Sequence, residues 1–182
     1  MSDMIQVTID SVRVSLMSPQ RIILLREIEG ERTLPIFVGP YEAEAITVAL
    51  QEIEMARPLT HDLLKNVIGT FGARLVHVEV VALREKIFYG NLVVEKDGEI
   101  IRIDSRPTDA IAMAVRAHVP ILVDPKVMEN AGITPEEDIQ EVDEKIKPIE
   151  KDRLSIFEDF LDQLDHKTEE DDKPENTSDD EP

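Results

Sequence analysis

Two short stretches gather the residue types that phosphoryl chemistry uses. Arg57-Pro58-Leu59-Thr60-His61-Asp62 and Asp104-Ser105-Arg106-Pro107-Thr108-Asp109 each combine carboxylate, hydroxyl and guanidinium groups, and the first adds an imidazole. Carboxylates hold a hard divalent cation through oxygen, a bound cation activates water and neutralises a phosphoryl group, and arginine clamps phosphate bidentately. His61 can serve as base or ligand. The inventory suits metal-assisted hydrolysis of a phosphodiester. Each group also has a plainer use. An adjacent His-Asp pair at a helix start caps free amides, and Arg57 and Arg106 can simply pair with Asp62, Asp109 or carbonyl oxygens. His77 alternates with apolar neighbours and His118 closes a helix, so neither joins the set. Gly-rich phosphate loops, a Gly-x-Ser-x-Gly elbow and spaced zinc ligands do not occur in the sequence.

Both stretches sit where an element begins. The β-branched run Ile100-Ile101-Arg102-Ile103 turns directly into an Ala-rich helical pattern running to about Ala117. Pro107 suits the first helical turn, Ser105 or Thr108 is available as a cap, and Asp109 faces the positive end of the helix dipole. In the other stretch Thr60 is the expected N-cap. The helix after it carries Leu63, Leu64, Val67, Ile68 and Phe71 as an apolar stripe, and Gly72 ends it.

The rest of the chain repeats this plan. Ile5 to Ile9 and Val12 to Leu16 alternate as a strand bent near Asp10-Ser11. Ser18-Pro19-Gln20 turns into the strand Arg21 to Leu25, and Glu29-Gly30-Glu31 turns into Thr33 to Val38. A helix is predicted from Glu42 to Met55, with Ala45, Ile46, Ala49, Leu50 and Ile53 as its apolar face. Strands over Leu75 to Leu83, Ile87 to Val94 and Ile100 to Ile103 follow, with Asp97-Gly98 as a hairpin turn. Strand, strand, strand, helix thus occurs twice. A shift of 65 residues lays Glu44-Ala45-Ile46 over Asp109-Ala110-Ile111, which predicts Glu42 or Glu44 and Asp109 in related positions. A short strand at Val119 to Val123 and a helical turn from Pro125 to Asn130, closed by Gly132, complete the unit. The expected fold class is α/β in the broad sense (α+β), with duplicated β3α units around one mixed or antiparallel sheet core.

Composition divides the chain at about residue 134. Residues 135–182 hold 20 acidic and 6 basic side chains, which accounts for most of the net charge of −19. Residues 135–150, with Pro135 and Pro148, suit a charged linker. Residues 151–165 place Leu154, Phe157, Phe160, Leu161 and Leu164 on one face of an amphipathic helix, which needs something to dock on. Residues 166–182 have the composition of a disordered acidic tail. The absence of cysteine excludes thiol catalysis and Cys-ligated zinc. No signal-like N-terminal segment and no apolar run of membrane-spanning length occur, so a soluble, cytoplasmic protein without a membrane partner is expected. The acidic balance does not favour a phosphate-backbone binder, since such affinity comes from Lys and Arg.

Three stretches in order carry a family resemblance. Leu34-Pro35-Ile36-Phe37-Val38-Gly39 with Glu42-Ala43-Glu44-Ala45, then Arg57 to Leu64, then Ile103 to Ala112, resemble the bifunctional nuclease domain family over roughly residues 5–134. The resemblance implies a two-fold β3α domain that tends to dimerise, and a nuclease activity on DNA and RNA known from plant members. It marks Glu42, Glu44, Arg57, Thr60, His61, Asp62, Asp104, Ser105, Arg106 and Asp109 as the polar positions. Under that reading His61, Asp62, Asp104 and Asp109 are catalytic. Asp62, Asp104 and Asp109, with Glu42 or Glu44, bind Mg²⁺ or Mn²⁺, and Arg57, Thr60, Ser105 and Arg106 hold the nucleic acid. The alternative is a non-catalytic dimeric binding or regulatory module, whose polar motifs are caps and ion pairs and whose C-terminal helix docks on a protein partner.

Overall fold

The structure is a computed structural model that describes residues 4–14 and 20–134. The expected linker, amphipathic helix and acidic tail, like the Ser18-Pro19 turn, lie outside the described residues. The elements run β1 (Ile5–Val14), β2 (Arg21–Glu27), β3 (Thr33–Val38), α1 (Pro40–Leu50), α2 (Thr60–Thr70), β4 (Ala73–Arg84), β5 (Ile87–Lys96), β6 (Glu99–Ser105), α3 (Pro107–Ala117), β7 (Ile121–Val123) and α4 (Pro125–Ala131). The seven strands form one sheet in the order β3-β2-β1-β7-β4-β5-β6. Every pairing is antiparallel except that of β7 with β4. This is the expected α+β architecture, two three-stranded meanders flanking β7.

Several local features follow directly from residue chemistry. The bend in β1 is a bulge between Ile9 and Ser11, where two residues oppose one on β2. Asp97 and Gly98 both adopt positive φ, 53° and 83°, as a tight two-residue hairpin requires. The helices that follow the two meanders, α1 and α3, correspond at a spacing of 67 residues: Pro40 to Pro107, Leu50 to Ala117 and Glu42 to Asp109. The shift is therefore two residues longer than the Ala-Ile pattern indicates. Glu42, rather than Glu44, is the counterpart of Asp109, and each is the acidic residue of its helix's first turn.

The core lies where α1 and α3 cover one face of the sheet. Ile23, Leu25, Leu34, Ile46, Val78, Val80, Ile111 and Met113 are fully buried there. Seven of the eleven residues of α3 are buried, which makes it the central helix. Gly90 on β5 lets α3 start close to the sheet. A Cβ at that position would meet the Glu79 carbonyl oxygen at 3.1 Å and Pro107 Cα at 3.2 Å.

Three helix expectations need correction. α1 stops at Leu50 instead of reaching Met55, because Glu52 turns left-handed (φ 51°). The Glu52 and Ile53 amides then bond back to Ala49 and Val48 carbonyls, a Schellman closure. Ala43 and Ile46 form its buried face, whereas Leu50 and Ile53 are exposed. In α2, Leu59 rather than Thr60 is the N-cap, and Asp62 Oδ2 accepts from the Leu59 amide at 2.9 Å. Its apolar stripe is not buried: Leu63, Leu64, Val67 and Phe71 face solvent, and only Ile68 packs against the core. α3 is capped at Arg106 with no side-chain bond from Ser105 or Thr108, while Pro107 occupies the first turn as expected.

Candidate functional site

The first turns of three helices meet in one polar cluster. Arg106, at the N-cap of α3, donates from Nε to Asp109 Oδ2 at 2.8 Å and from Nη2 to Asp109 Oδ1 at 3.1 Å. Its Nη1 donates to Glu42 Oε1 of α1 at 3.1 Å. From α2, His61 Nε2 lies 3.3 Å from Asp109 Oδ1. Because an ionised carboxylate only accepts, Nε2 carries the hydrogen, and in the neutral form of the ring Nδ1 is the acceptor. Asp109 closes this cluster at its centre, with His61 on one side and the largely exposed Arg106 on the other.

Electrostatics fix the charge state of these groups. Burial pushes the Asp109 carboxyl up, but hydrogen bonds from Arg106 and His61, with the positive charge of Arg106, hold it below the ordinary 3.8. The Asp109 hydrogen bond and charge, supported by Glu42, raise Arg106 further above its already high value. Arg106 therefore stays cationic, with guanidinium N–H groups beyond the three bonds named still free for an anion.

Asp62 is engaged elsewhere. Its Oδ1 accepts from Arg116 Nε at 2.7 Å, while Oδ2 holds the Leu59 amide. Burial raises its carboxyl, and the Leu59 amide and Arg116 together bring it below 3.8. Arg116 also donates to the Ala112 carbonyl at 3.0 Å and to the Ala45 carbonyl at 2.9 Å. It thus joins α1, α2 and α3 from behind the His61 centre. Sequence reasoning passed over Arg116, since a lone arginine in a last helical turn looks like an ordinary dipole partner.

The remaining expected residues are dispersed. Asp104 is exposed on β6 opposite Asn91, and Glu44 and Thr60 are exposed on their helices. Arg57 is exposed beside a groove against α2. The Ser105 Oγ is buried with no hydrogen-bond partner among the described residues. No three His, Asp or Glu side chains among the described residues come close enough to share a metal ion. Glu42 and Asp109 instead both accept from Arg106.

A second polar cluster, also missed, sits on the sheet face away from α3. Glu79 is buried and accepts from His77 Nε2 (3.1 Å), Asn91 Nδ2 (3.3 Å) and Arg102 Nε and Nη2 (3.2 and 3.3 Å). Burial raises its carboxyl, but the bonds from Arg102, His77 and Asn91 bring it below 4.5. The period-two spacing of His77 and Glu79 on β4 was its only signal in the sequence.

Comparison with known proteins identifies a family over most of the described residues. The family model described as the bifunctional nuclease domain matches residues 23–136, which contain all three motif stretches and every residue of the His61 centre. Uncharacterized protein Rv1829 of Mycobacterium tuberculosis is 37% identical over 160 residues, covering 87% of this chain and 94% of that protein. Bifunctional nuclease 2 of Oryza sativa subsp. japonica is 32% identical over 120 residues, or 64% of this chain and 37% of the relative. Bifunctional nuclease 2 of Arabidopsis thaliana is 28% identical over 120 residues, 64% of this chain and 36% of its own length. The chain thus spans little more than a third of these plant relatives. The extent of the family match and the near full-length bacterial relative lead to one conclusion: this chain belongs to the bifunctional nuclease domain family.

Proposed function

We propose that the chain is a nuclease that hydrolyses phosphodiester bonds in DNA or RNA, with His61, Asp109, Arg106 and Glu42 as its centre. The observation that carries the reading is the His61–Asp109–Arg106 contact at the junction of three helix N-termini, within the segment that matches the nuclease family. His61 Nδ1 takes the proton of an attacking water, Asp109 holds the ring in that tautomer, and the free N–H groups of Arg106 bind the phosphate oxygens. As the P–O bond breaks, the leaving oxygen takes up a proton from solvent. Asp62 positions the centre through Arg116, while Arg57 binds phosphate nearby. Asp104, Thr60 and Ser105 stay outside the proposed chemistry. A requirement for Mg²⁺ or Mn²⁺ remains part of the proposal, as counter-charge to the phosphate, and is read in the same assay.

That assay is cleavage of labelled single- and double-stranded DNA and RNA by the full chain with Mg²⁺, Mn²⁺ or EDTA. His61→Gln and Asp109→Asn are expected to lower the rate at least about 100-fold while remaining folded. Equal cleavage by wild type and both variants would reject the site.

A homodimer is proposed with it. α2 exposes Leu63, Leu64, Val67 and Phe71, and the sheet's edge strand β6 exposes Ile100, Ile101 and Ile103. Burial of such surface against a second copy stabilises by about 25 cal/mol per Å². Leu63→Lys together with Ile101→Lys is expected to halve the mass in solution, measured by light scattering. A wild type that is monomeric at micromolar concentration refutes the dimer. The non-catalytic module stands as the second reading, favoured by the same exposed surface and by carboxylates already neutralised within the chain.

A further inference from the structure

Behind the His61 centre lies a groove of about 710 Å³, walled by the chain that follows α1, the first turns of α2 and the last turn of α3. Asp62 and Arg116 neutralise each other in its floor. The other charged side chains on it are Arg57, Lys65, Glu52 and Glu54. The side chains of Arg57, Glu52 and Glu54 have no hydrogen-bonding or ionic partner among the described residues. Lys65 spends one donor on the Arg116 carbonyl at 2.7 Å, which holds its ammonium at the wall and leaves other N–H bonds for a ligand. Ile53 and Met55 stand half exposed between these charges.

We infer that this groove is a nucleotide subsite that selects a base bearing an exocyclic amino group. Two cations beside two carboxylates do not suit a bare phosphate, which the carboxylates would repel. They match a ligand with an anion at one end and hydrogen-bond donors at the other. Arg57 and Lys65 take the phosphate, Ile53 and Met55 cover the base, and Glu52 or Glu54 accepts from the amino group. Cytosine offers that donor, whereas uracil presents a carbonyl oxygen at the same place. The inference rests on the nuclease reading for its choice of ligand; the groove and the proposed centre are joined through α2, where Asp62 in the groove follows His61.

The test is calorimetric titration of the full chain with CMP, UMP and inorganic phosphate, which needs no turnover. CMP is expected to bind about tenfold or more tighter than UMP or phosphate. Glu52→Gln with Glu54→Gln abolishes the preference, and Arg57→Gln weakens CMP about tenfold. All these positions are exposed, so the variants fold. Equal binding of CMP and UMP, absence of binding at millimolar CMP, or indifference to Arg57→Gln overturns the inference. Oligonucleotide cleavage without base preference in such a protein leaves the nuclease reading standing alone. Selective CMP binding by a protein that cleaves nothing rejects the nuclease and keeps the subsite.

Discussion

Replacing Asp62 with alanine separates a structural from a chemical role for this carboxylate. The Arg116 side chain is 5% exposed and that of Asp62 35%. Removing one partner of a buried ion pair costs about 3–5 kcal/mol. Here the cost is smaller, because Asp62 is a third exposed and solvent screens the pair, and because Arg116 keeps the Ala45 and Ala112 carbonyls. About 2 kcal/mol is a reasonable figure for the pair. Loss of the acceptor for the Leu59 amide adds about 1 kcal/mol, typical of a helix cap. A total of about 3 kcal/mol lowers the melting temperature of a domain this size by about 10 °C. Asp62→Asn, which retains hydrogen-bonding capacity, should lose about half of that. Calorimetry gives the melting temperatures, and cleavage assays well below both midpoints show whether the folded variants act. An Asp62→Ala protein that melts within about 2 °C of wild type yet has lost cleavage would refute the reasoning and return Asp62 to the chemistry.

Two further outcomes follow from charge and close contact. Asp62, Glu79 and Asp109 all titrate below their ordinary values when folded, so the native state binds fewer protons than the unfolded chain in acid. Their contribution is complete above the unfolded values and lost as pH falls through the folded ones. The urea midpoint should therefore decline below about pH 4.5, and Glu79→Gln should flatten that decline; an unchanged acid slope in the variant rejects the assignment. Gly90→Val should destabilise by about 1–3 kcal/mol, because its side chain meets the backbone of Glu79 and Pro107 rather than flexible groups. A urea midpoint equal to wild type would show that α3 can retreat freely.

Elements with a local chemical cause were legible in the sequence. Asp97-Gly98 announced its turn because both positive φ values fall on residues that tolerate them, and Asp10-Ser11 marked the β1 bulge by breaking the alternation. The end of α1 was hidden because a glutamate, Glu52, takes the left-handed position where glycine is the usual signal. His118 takes the same conformation after α3, whose end at Ala117 is where the sequence pattern placed it. The stripe on α2 has helical period without burial, since periodicity reports an apolar face and not what covers it. In the candidate site, His61, Arg106 and Asp109 could be picked by residue type, and Glu42 by its place after a helix start. The separation of Asp62 from them could not. Neighbouring residues on a helix point about 100° apart, and only the burial of Arg116 on the far side decides which way Asp62 turns.

The position of β7 has a bearing on how the protein is made. This strand of three residues, near the end of the described chain, pairs Ile5 to Val7 on one side and Val78 to Val80 on the other. Each meander can form from neighbouring sequence as it leaves the ribosome, since its hairpins close over short loops. The two cannot become one sheet until residue 123 is synthesised and inserts between them. Assembly of this sheet is thus timed by β7, and a chain arrested at residue 118 should yield two meanders whose amides in β1 and β4 exchange with solvent far faster than in the finished protein.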